Sequence, residues 1–282
     1  MIESSELIIR EDGSAFHLAL RPEQLAEKVI LVGDPGRVDM VAQHFDKKES
    51  EVQNREFHSI TGFYYGKRIT VLSTGIGTDN IDIVLNELDA LKNIDFNTRE
   101  IKSDLKSLTI VRIGTCGGLQ ETTPIGTYIA SEKSIGIDGV LNYYEGRDSV
   151  CDLETEKRFV DATQWNKDKA RPYVALADKN LLERISGDDM VRGMTISAPG
   201  FYGPQGRVLR LGIDDKDVND KIRRFGVLNY EMEGSLIAGL SSLLGHKALT
   251  VCCVIANRYA KESNVNYKGS VNGLIEKVLD RI

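Results

Sequence analysis

No apolar run in this sequence approaches the roughly 20 residues that a membrane helix needs, which argues against a membrane-spanning chain. The first residues, MIESSELIIREDGSAF, carry acids and lack a long apolar core, so they do not read as a secretory signal. Cysteine is scarce. The four present (Cys116, Cys151, Cys252, Cys253) show no C-x-x-C spacing and read as reduced, mostly core thiols of a cytoplasmic protein. The four histidines (His17, His44, His58, His246) form no pair at ligand spacing, which argues against a transition-metal site. Basic charge is also short: 36 Lys and Arg stand against 42 Asp and Glu, a net charge of −6. With no Lys/Arg block, the chain lacks the basic surface a nucleic-acid backbone requires. A small anion held by a few buried arginines remains compatible with that balance.

What is present reads as a folded α/β protein. The 282 residues are enough for one large domain or two small ones, and 41% hydrophobic with 28% charged residues is ordinary for a globular chain. KVILVGDP (28–35) predicts a buried strand stopped by Gly33 and Pro35, followed by a helix from RVDMVAQHF. ITVLSTGIGTDN predicts a strand running into glycines, and IDIVLNELDAL (81–91) an amphipathic helix. LTIVRIGTCGG (108–118), GTYIASEKSIGIDG, MTISAPG and ALTVCCVIANR (248–258) predict further strands. YEMEGSLIAGLSSLLG and VNGLIEKVLDRI predict helices. Strands alternating with helices imply a mainly parallel central sheet. Residues 93–107, NIDFNTREIKSDLKS, predict an exposed insertion. No repeat, low-complexity tract or long linker appears, so residues 1–282 read as one domain.

Two motifs carry chemistry. In FYGPQGR (201–207), Gln205 and Arg207 stand two apart in a loop broken by Gly and Pro, so both can face one ligand. An amide beside a guanidinium fork suits a flat ring edged with carbonyls and N–H groups. In NYEMEG (229–234), Glu231 and Glu233 bracket Met232, and carboxylates there can accept from sugar hydroxyls. Three glycine-flanked strand ends add anion-binding groups: Arg37 in GDPGR, Thr74 and Thr78 in STGIGT, and Arg112 and Thr115 in RIGTCGG. Ligands of open α/β sheets sit beyond such strand ends, and glycines let backbone amides approach an anion. With Arg55 these arginines suit phosphate. Arg112 lies inside an otherwise apolar strand, where a charge needs a partner in the protein or a ligand.

From FHLAL through GDPGRV, REF, STGIGT, VRIGTCGG, FYGPQGR and NYEMEG to VIANR, the chain resembles the nucleoside phosphorylases and, within them, the uridine phosphorylases. The resemblance implies an α/β fold with a twisted, mixed, partly barrel-like central sheet surrounded by helices. It implies reversible cleavage of a nucleoside by inorganic phosphate, here of uridine, with deoxyuridine and thymidine left open. Phosphate binding falls to Gly33, Arg37, Arg112 and Thr115, with Arg55 from a neighbouring subunit. Ribose falls to Thr115, Met232 and Glu233, with His17 from that neighbour. The base falls to Phe201, Gln205, Arg207 and Ile255, with Arg258 behind it, and Arg207, Glu233 and Arg112 carry catalysis. No organic cofactor is implied. Some relatives hold a monovalent cation such as K+ at the dimer interface, here near Glu56, Ile76 and Asn80. A homo-oligomer follows, with a dimer as the active unit, alone or within a hexamer.

The chain departs from the family pattern in places. Asn80 stands for serine, GTCGG for a GTTG-type segment, FYGPQ for FYPGQ, and Gly206 for an acid. The purine branch carries an Asp after the last core strand; here the nearest residue is Asn257, which favours a pyrimidine. A purine phosphorylase, a nucleosidase of the same fold and a non-catalytic nucleoside sensor are the alternatives. The phosphate arginines speak against the last two. The G-x-G-x-x-G dinucleotide fingerprint is incomplete in STGIGTDN, where Asn80 takes the third glycine's place.

Overall fold

Apolar runs that end in glycine become strands in a computed structural model of the chain, which describes residues 1–282. β1 (Lys28–Val32) stops at Gly33, and Pro35 opens α1 (Pro35–Ala42), a position where its fixed φ suits the helix and no amide is lost. Asp34 caps α1 by accepting from the Gly36 amide at 2.9 Å. β2 (Lys47–Asn54) and β3 (Phe57–Tyr64) form a hairpin with Arg55 in its turn, and β4 (Lys67–Ser73) pairs with β3. α2 (Thr78–Asn93) buries the face made by Ile81, Val84, Leu85, Leu88 and Leu91. The charged segment after it is largely exposed and holds only the small hairpin β5 (Ile94–Asp95) with β6 (Glu100–Ile101).

β7 (Thr109–Gly118) and β8 (Tyr128–Gly136) come next, then α3 (Leu153–Thr163), β9 (Tyr173–Leu176), α4 (Lys179–Ser186) and β10 (Val191–Ser197). α5 (Val218–Arg224), β11 (Val227–Glu231), α6 (Gly234–Leu243), β12 (Lys247–Asn257), β13 (Glu262–Ser263) and α7 (Lys268–Arg281) complete the chain. One 11-stranded sheet runs through the molecule in the order β13-β12-β8-β10-β11-β7-β1-β4-β3-β2 with β9 beside β8. Because β12 also pairs with β7, the strands β7, β12, β8, β10 and β11 close into a five-stranded barrel, and β1 to β4 extend from it. The twisted, partly barrel-like sheet surrounded by helices is therefore present.

Two expectations are corrected. YEMEGSLIAGLSSLLG is not one helix: Tyr230 and Glu231 end β11, and α6 starts at Gly234. Pairing of β11 to β10 on one side and β7 on the other satisfies its backbone in extended form. Nor is the sheet mainly parallel. Five pairings are parallel, and six are antiparallel. Hairpins such as β2–β3 have connections too short for the crossover a parallel pair needs.

β1 shows why its sequence is apolar throughout. Ile30 and Val32 enter a core shared with Val38 of α1, Leu181 of α4 and Ile275 of α7. Val29 and Leu31 enter another, with Leu85 of α2 and Leu240 of α6. A strand covered on both faces has no polar side to alternate with, and each such buried aliphatic side chain contributes about 1.5–3 kcal/mol.

Candidate active site

The site lies where the barrel parts from the rest of the sheet. β1 runs beside β7 only as far as the Val32–Ile113 pair, and β11 joins that edge, antiparallel, only at Gly117. Between them, Gly114, Thr115 and Cys116 pair with β12 alone. The ends of β1 and β11 thus meet across a gap beside β7, the kind of switch point at which α/β sheets take ligands. A cavity of about 520 Å³ opens there. Gly33, Arg37, Arg112, Thr115, Phe201, Gln205, Arg207, Met232, Glu233 and Ile255 all line it, as does Ile76.

One end of the cavity is cationic. Arg37, at 8% exposure, makes one long hydrogen bond, 3.4 Å to the Ile113 carbonyl, and pairs with no carboxylate. Burial, with Arg112 nearby, pushes its pKa down, so its charge is held at a cost that an anion would offset. Arg112 is also buried and pairs with Glu233 and, at 3.2 Å, with Glu231. Burial opposes its charge, but the two carboxylates outweigh burial and hold it above the ordinary arginine range. Gly114 makes this arrangement possible: a Cβ there would lie 2.1 Å from Arg112 Nη1 and 2.9 Å from Cys252 Sγ. Gly33, beside Gly75, keeps the neighbouring backbone close as well.

The middle is acidic, and its two carboxylates differ. Glu231 is consumed by the protein. Its oxygens accept from Ser197 Oγ, from the Glu233 amide at 2.9 Å and from the Gly234 amide at 2.8 Å, besides facing Arg112. The idea that both acids greet sugar hydroxyls is corrected for this one, which anchors the turn into α6. Glu233 accepts from the Gly77 amide at 2.8 Å through Oε1 and from Arg112 through Oε2, leaving a lone pair on each oxygen. Burial raises its pKa and Glu231 adds to that, while Arg112 pulls it down. Tight glycines bring the groups together: Gly75 and Gly77 have φ of 71° and 100°, and so swing the start of α2 under Glu233.

The far end joins an amide to guanidinium groups. Gln205 ends a 3-10 turn (Gly203–Gln205) and is 3% exposed. Arg258 donates to both its backbone carbonyl and, at 2.5 Å, its side-chain oxygen, so the Gln205 NH2 is left as the free donor. Arg258 itself lies 4.6 Å from the Tyr230 ring centroid. Burial, then the like charge of Arg207, brings its pKa down to about 10. Arg207 stacks 4.1 Å from the Phe201 centroid, and burial lowers its pKa. Two donors thus face the cavity with an aromatic wall beside them.

Three residues assigned to the substrates do not line the cavity of a single chain: Arg258, which stands behind Gln205, and His17 and Arg55, which the resemblance assigns to a neighbouring subunit. His17 Nδ1 sits 2.6 Å from Glu87, and the Arg55 guanidinium is 5.9 Å from the Phe16 ring centroid. Near Glu56, Asn80 turns its NH2 toward Oε1 at 3.3 Å, presenting a donor rather than an oxygen. Sequence reasoning missed Tyr230, whose place under Arg258 follows from the alternation of β11 once that stretch is read as strand, and Glu87, which binds the amides of His17 and Leu18. It noted Asn257 only as a missing acid. The Asn257 amide group is spent on the Gln120 and Thr123 carbonyls at 2.9 and 2.7 Å.

A five-stranded barrel with a strand-end cavity that joins an arginine pair, a buried carboxylate and an amide–guanidinium end defines an enzyme site for a polar, anion-assisted reaction. The chain belongs to the phosphorylase superfamily, whose family model matches residues 27–280. It is 29% identical over 264 residues to a uridine phosphorylase of Thermococcus kodakarensis, covering 92% of this chain and 83% of that protein. It is 27% identical to a guanosine phosphorylase of Halorubrum lacusprofundi over 94% of this chain and 92% of that one. Among solved structures it superposes, with a TM-score of 0.88 and 30% identity over 98% of both chains, on a Trypanosoma brucei nucleoside phosphorylase described as showing uridine phosphorylase activity.

Proposed function

We propose that the chain is a uridine phosphorylase, a pentosyltransferase that takes uridine and inorganic phosphate to uracil and ribose 1-phosphate, with deoxyuridine and thymidine as further candidates. The observation that carries the reading is the Gln205–Arg207 pair in the same cavity as the under-satisfied Arg37. Phosphate is assigned to Gly33, Arg37, Arg112 and Thr115, ribose to Thr115, Met232 and Glu233, and uracil to Phe201, Gln205, Arg207 and Ile255. Arg258 orients Gln205. The Asn257 amide, occupied by carbonyls, leaves no acid to protonate a purine ring, which favours the pyrimidine over the purine reading.

In this mechanism phosphate, already an anion, attacks C1′ directly, and the C1′–N1 bond breaks toward an oxocarbenium-like sugar. Glu233 and the phosphate stabilise that cation. Arg207 and the Gln205 NH2 stabilise the electron pair left on uracil. Catalysis is positioning plus electrostatics, with no covalent enzyme intermediate. We read the enzyme as free of cofactors. At the place where the resemblance puts a monovalent cation, Asn80 turns an N–H rather than an oxygen toward Glu56, which speaks against a cation there. The active unit is a dimer that brings Arg55 and His17 into the partner's site, alone or within a hexamer, and the work is pyrimidine salvage in the cytoplasm.

The test is turnover of uridine, thymidine, inosine and adenosine, each with and without phosphate. Uridine cleavage that depends on phosphate supports the reading. Inosine or adenosine cleavage in its place would move the chain to the purine branch, base release without phosphate to the nucleosidases, and binding without turnover to a sensor.

A further inference from the structure

A second cavity, about 510 Å³, lies behind the turn that carries Gln205. Gly203 and Pro204, the first two residues of that turn, form one of its walls, while Gln205 and the flanking Phe201 and Arg207 line the first cavity. Trp165, the single tryptophan of the chain, forms another wall, its ring fixed by a bond from Nε1 to the Ala170 carbonyl at 3.0 Å. Lys169 lies 5.7 Å from the Trp165 ring centroid and pairs with Asp214 at 3.0 Å, tying the two sides of the cavity together.

The cavity's polar groups are unbalanced. Asp138, Asp214 and Asp215 line it against one lysine, Lys169. Asp214 has Lys169, and Asp215 has Lys221 at 2.8 Å. Asp138 faces no cation. It accepts from the Val140 amide at 2.8 Å, from Tyr173 Oη at 3.0 and 3.1 Å and from Ser235 Oγ at 3.2 Å. Burial raises its pKa, so an N–H-bearing cation or strong donor brought to it would relieve an existing cost. The acid surplus disfavours phosphates and carboxylates. The rings that Trp165, Pro199 and Pro204 bring to the lining suit a planar ring rather than a flexible chain.

We propose that this cavity is a second binding site, for an aminated heteroaromatic molecule that lies against Trp165 and donates to Asp138, and that its occupation alters nucleoside binding through the Gly203–Gln205 turn. The site stands on its own residues; its effect on nucleoside binding rests on the uridine phosphorylase reading.

Isothermal calorimetry with 2-aminobenzimidazole, in the presence of saturating uracil and phosphate, tests it. One saturable event per chain is the expected result, weakened about tenfold in Asp138→Asn, the scale of one charge-assisted hydrogen bond. Val218→Phe narrows the cavity from α5 and should weaken binding as well, so a misfolded Asp138→Asn would not stall the test. With the probe bound, KM for uridine should shift while kcat holds. Absence of saturable heat, loss of binding when uracil and phosphate are added, or equal affinity in a folded Asp138→Asn or Val218→Phe would overturn the site. An unmoved KM would overturn the coupling. Failure of the reading itself appears separately, as no phosphate-dependent turnover of uridine without probe.

Discussion

At the scale of residues, the site works by leaving some groups unsatisfied. Arg37 and Arg207 are desolvated without a carboxylate partner, whereas Arg112 is neutralised by Glu233 and Glu231. Under the proposed reading an incoming phosphate would gain most from Arg37, while Arg112, already the brace of Glu233, would serve as a further phosphate contact. Arg207→Ala removes a charge-assisted bond worth roughly 1.5–3 kcal/mol, and uridine turnover should fall by about one to two orders of magnitude. Normal turnover in a folded Arg207→Ala protein would detach that residue from the leaving group. Glu233→Gln should harm uridine more than deoxyuridine, because without a 2′-hydroxyl part of the lost interaction is missing already. Equal losses in kcat/KM would place Glu233 elsewhere on the sugar or make it only a brace for Arg112. These residues were legible as types in motifs. That Glu231 is spent on amides while Glu233 is not could not be read from the sequence, since both stand alike around Met232.

At the scale of elements, helices and strands were legible where one periodicity ruled over a long stretch. α2 and α7 announce themselves by their apolar faces, and β1, β7 and β12 by largely buried runs rich in Val, Ile and Thr. β11 was hidden because its last residue stands only three before the start of α6, so the helical reading that begins at Tyr230 took in the end of the strand. α3 shows how such an element is held. Its N-cap Asp152 accepts from the Thr155 amide at 3.0 Å and from Lys133 at 2.7 Å. The bond from Lys133, then that amide, lowers the carboxyl from 3.8 to about 2. A folded pKa below the unfolded one means the contribution is full above pH 3.8 and is lost as pH falls through about 2. Asp152→Ala should cost about 1 kcal/mol near neutrality. In thermal melts the variant's deficit should shrink on acidification across that window; a deficit unchanged down to pH 2 would assign the loss to packing instead of charge.

At the scale of the whole molecule, one chain presents an incomplete set. Arg55 and His17 do not line the cavity of their own chain, so the proposed reading requires a two-fold partner. Arg55→Ala and Glu233→Ala should each be nearly inactive. Unfolding and co-refolding the two together makes about half the dimers mixed, each with one intact site, so activity should return to ~25% of wild type. No recovery, with chain exchange verified by mass, would return Arg55 to its own chain. By itself the sequence determined which stretches are apolar, where glycine lets the chain turn, and which residue types stand beside one another in FYGPQGR, NYEMEG and GDPGR, because periodicity, backbone freedom and local spacing are properties of neighbours in the chain. Only the tertiary structure decided that β12 returns to β7 and closes a barrel, that Gly114 clears the way for the Arg112 guanidinium, and that Arg258 orients Gln205 from 53 residues away. Those choices depend on groups far apart in sequence competing for the same buried space and the same hydrogen-bond partners, and that competition is settled when the strands pack.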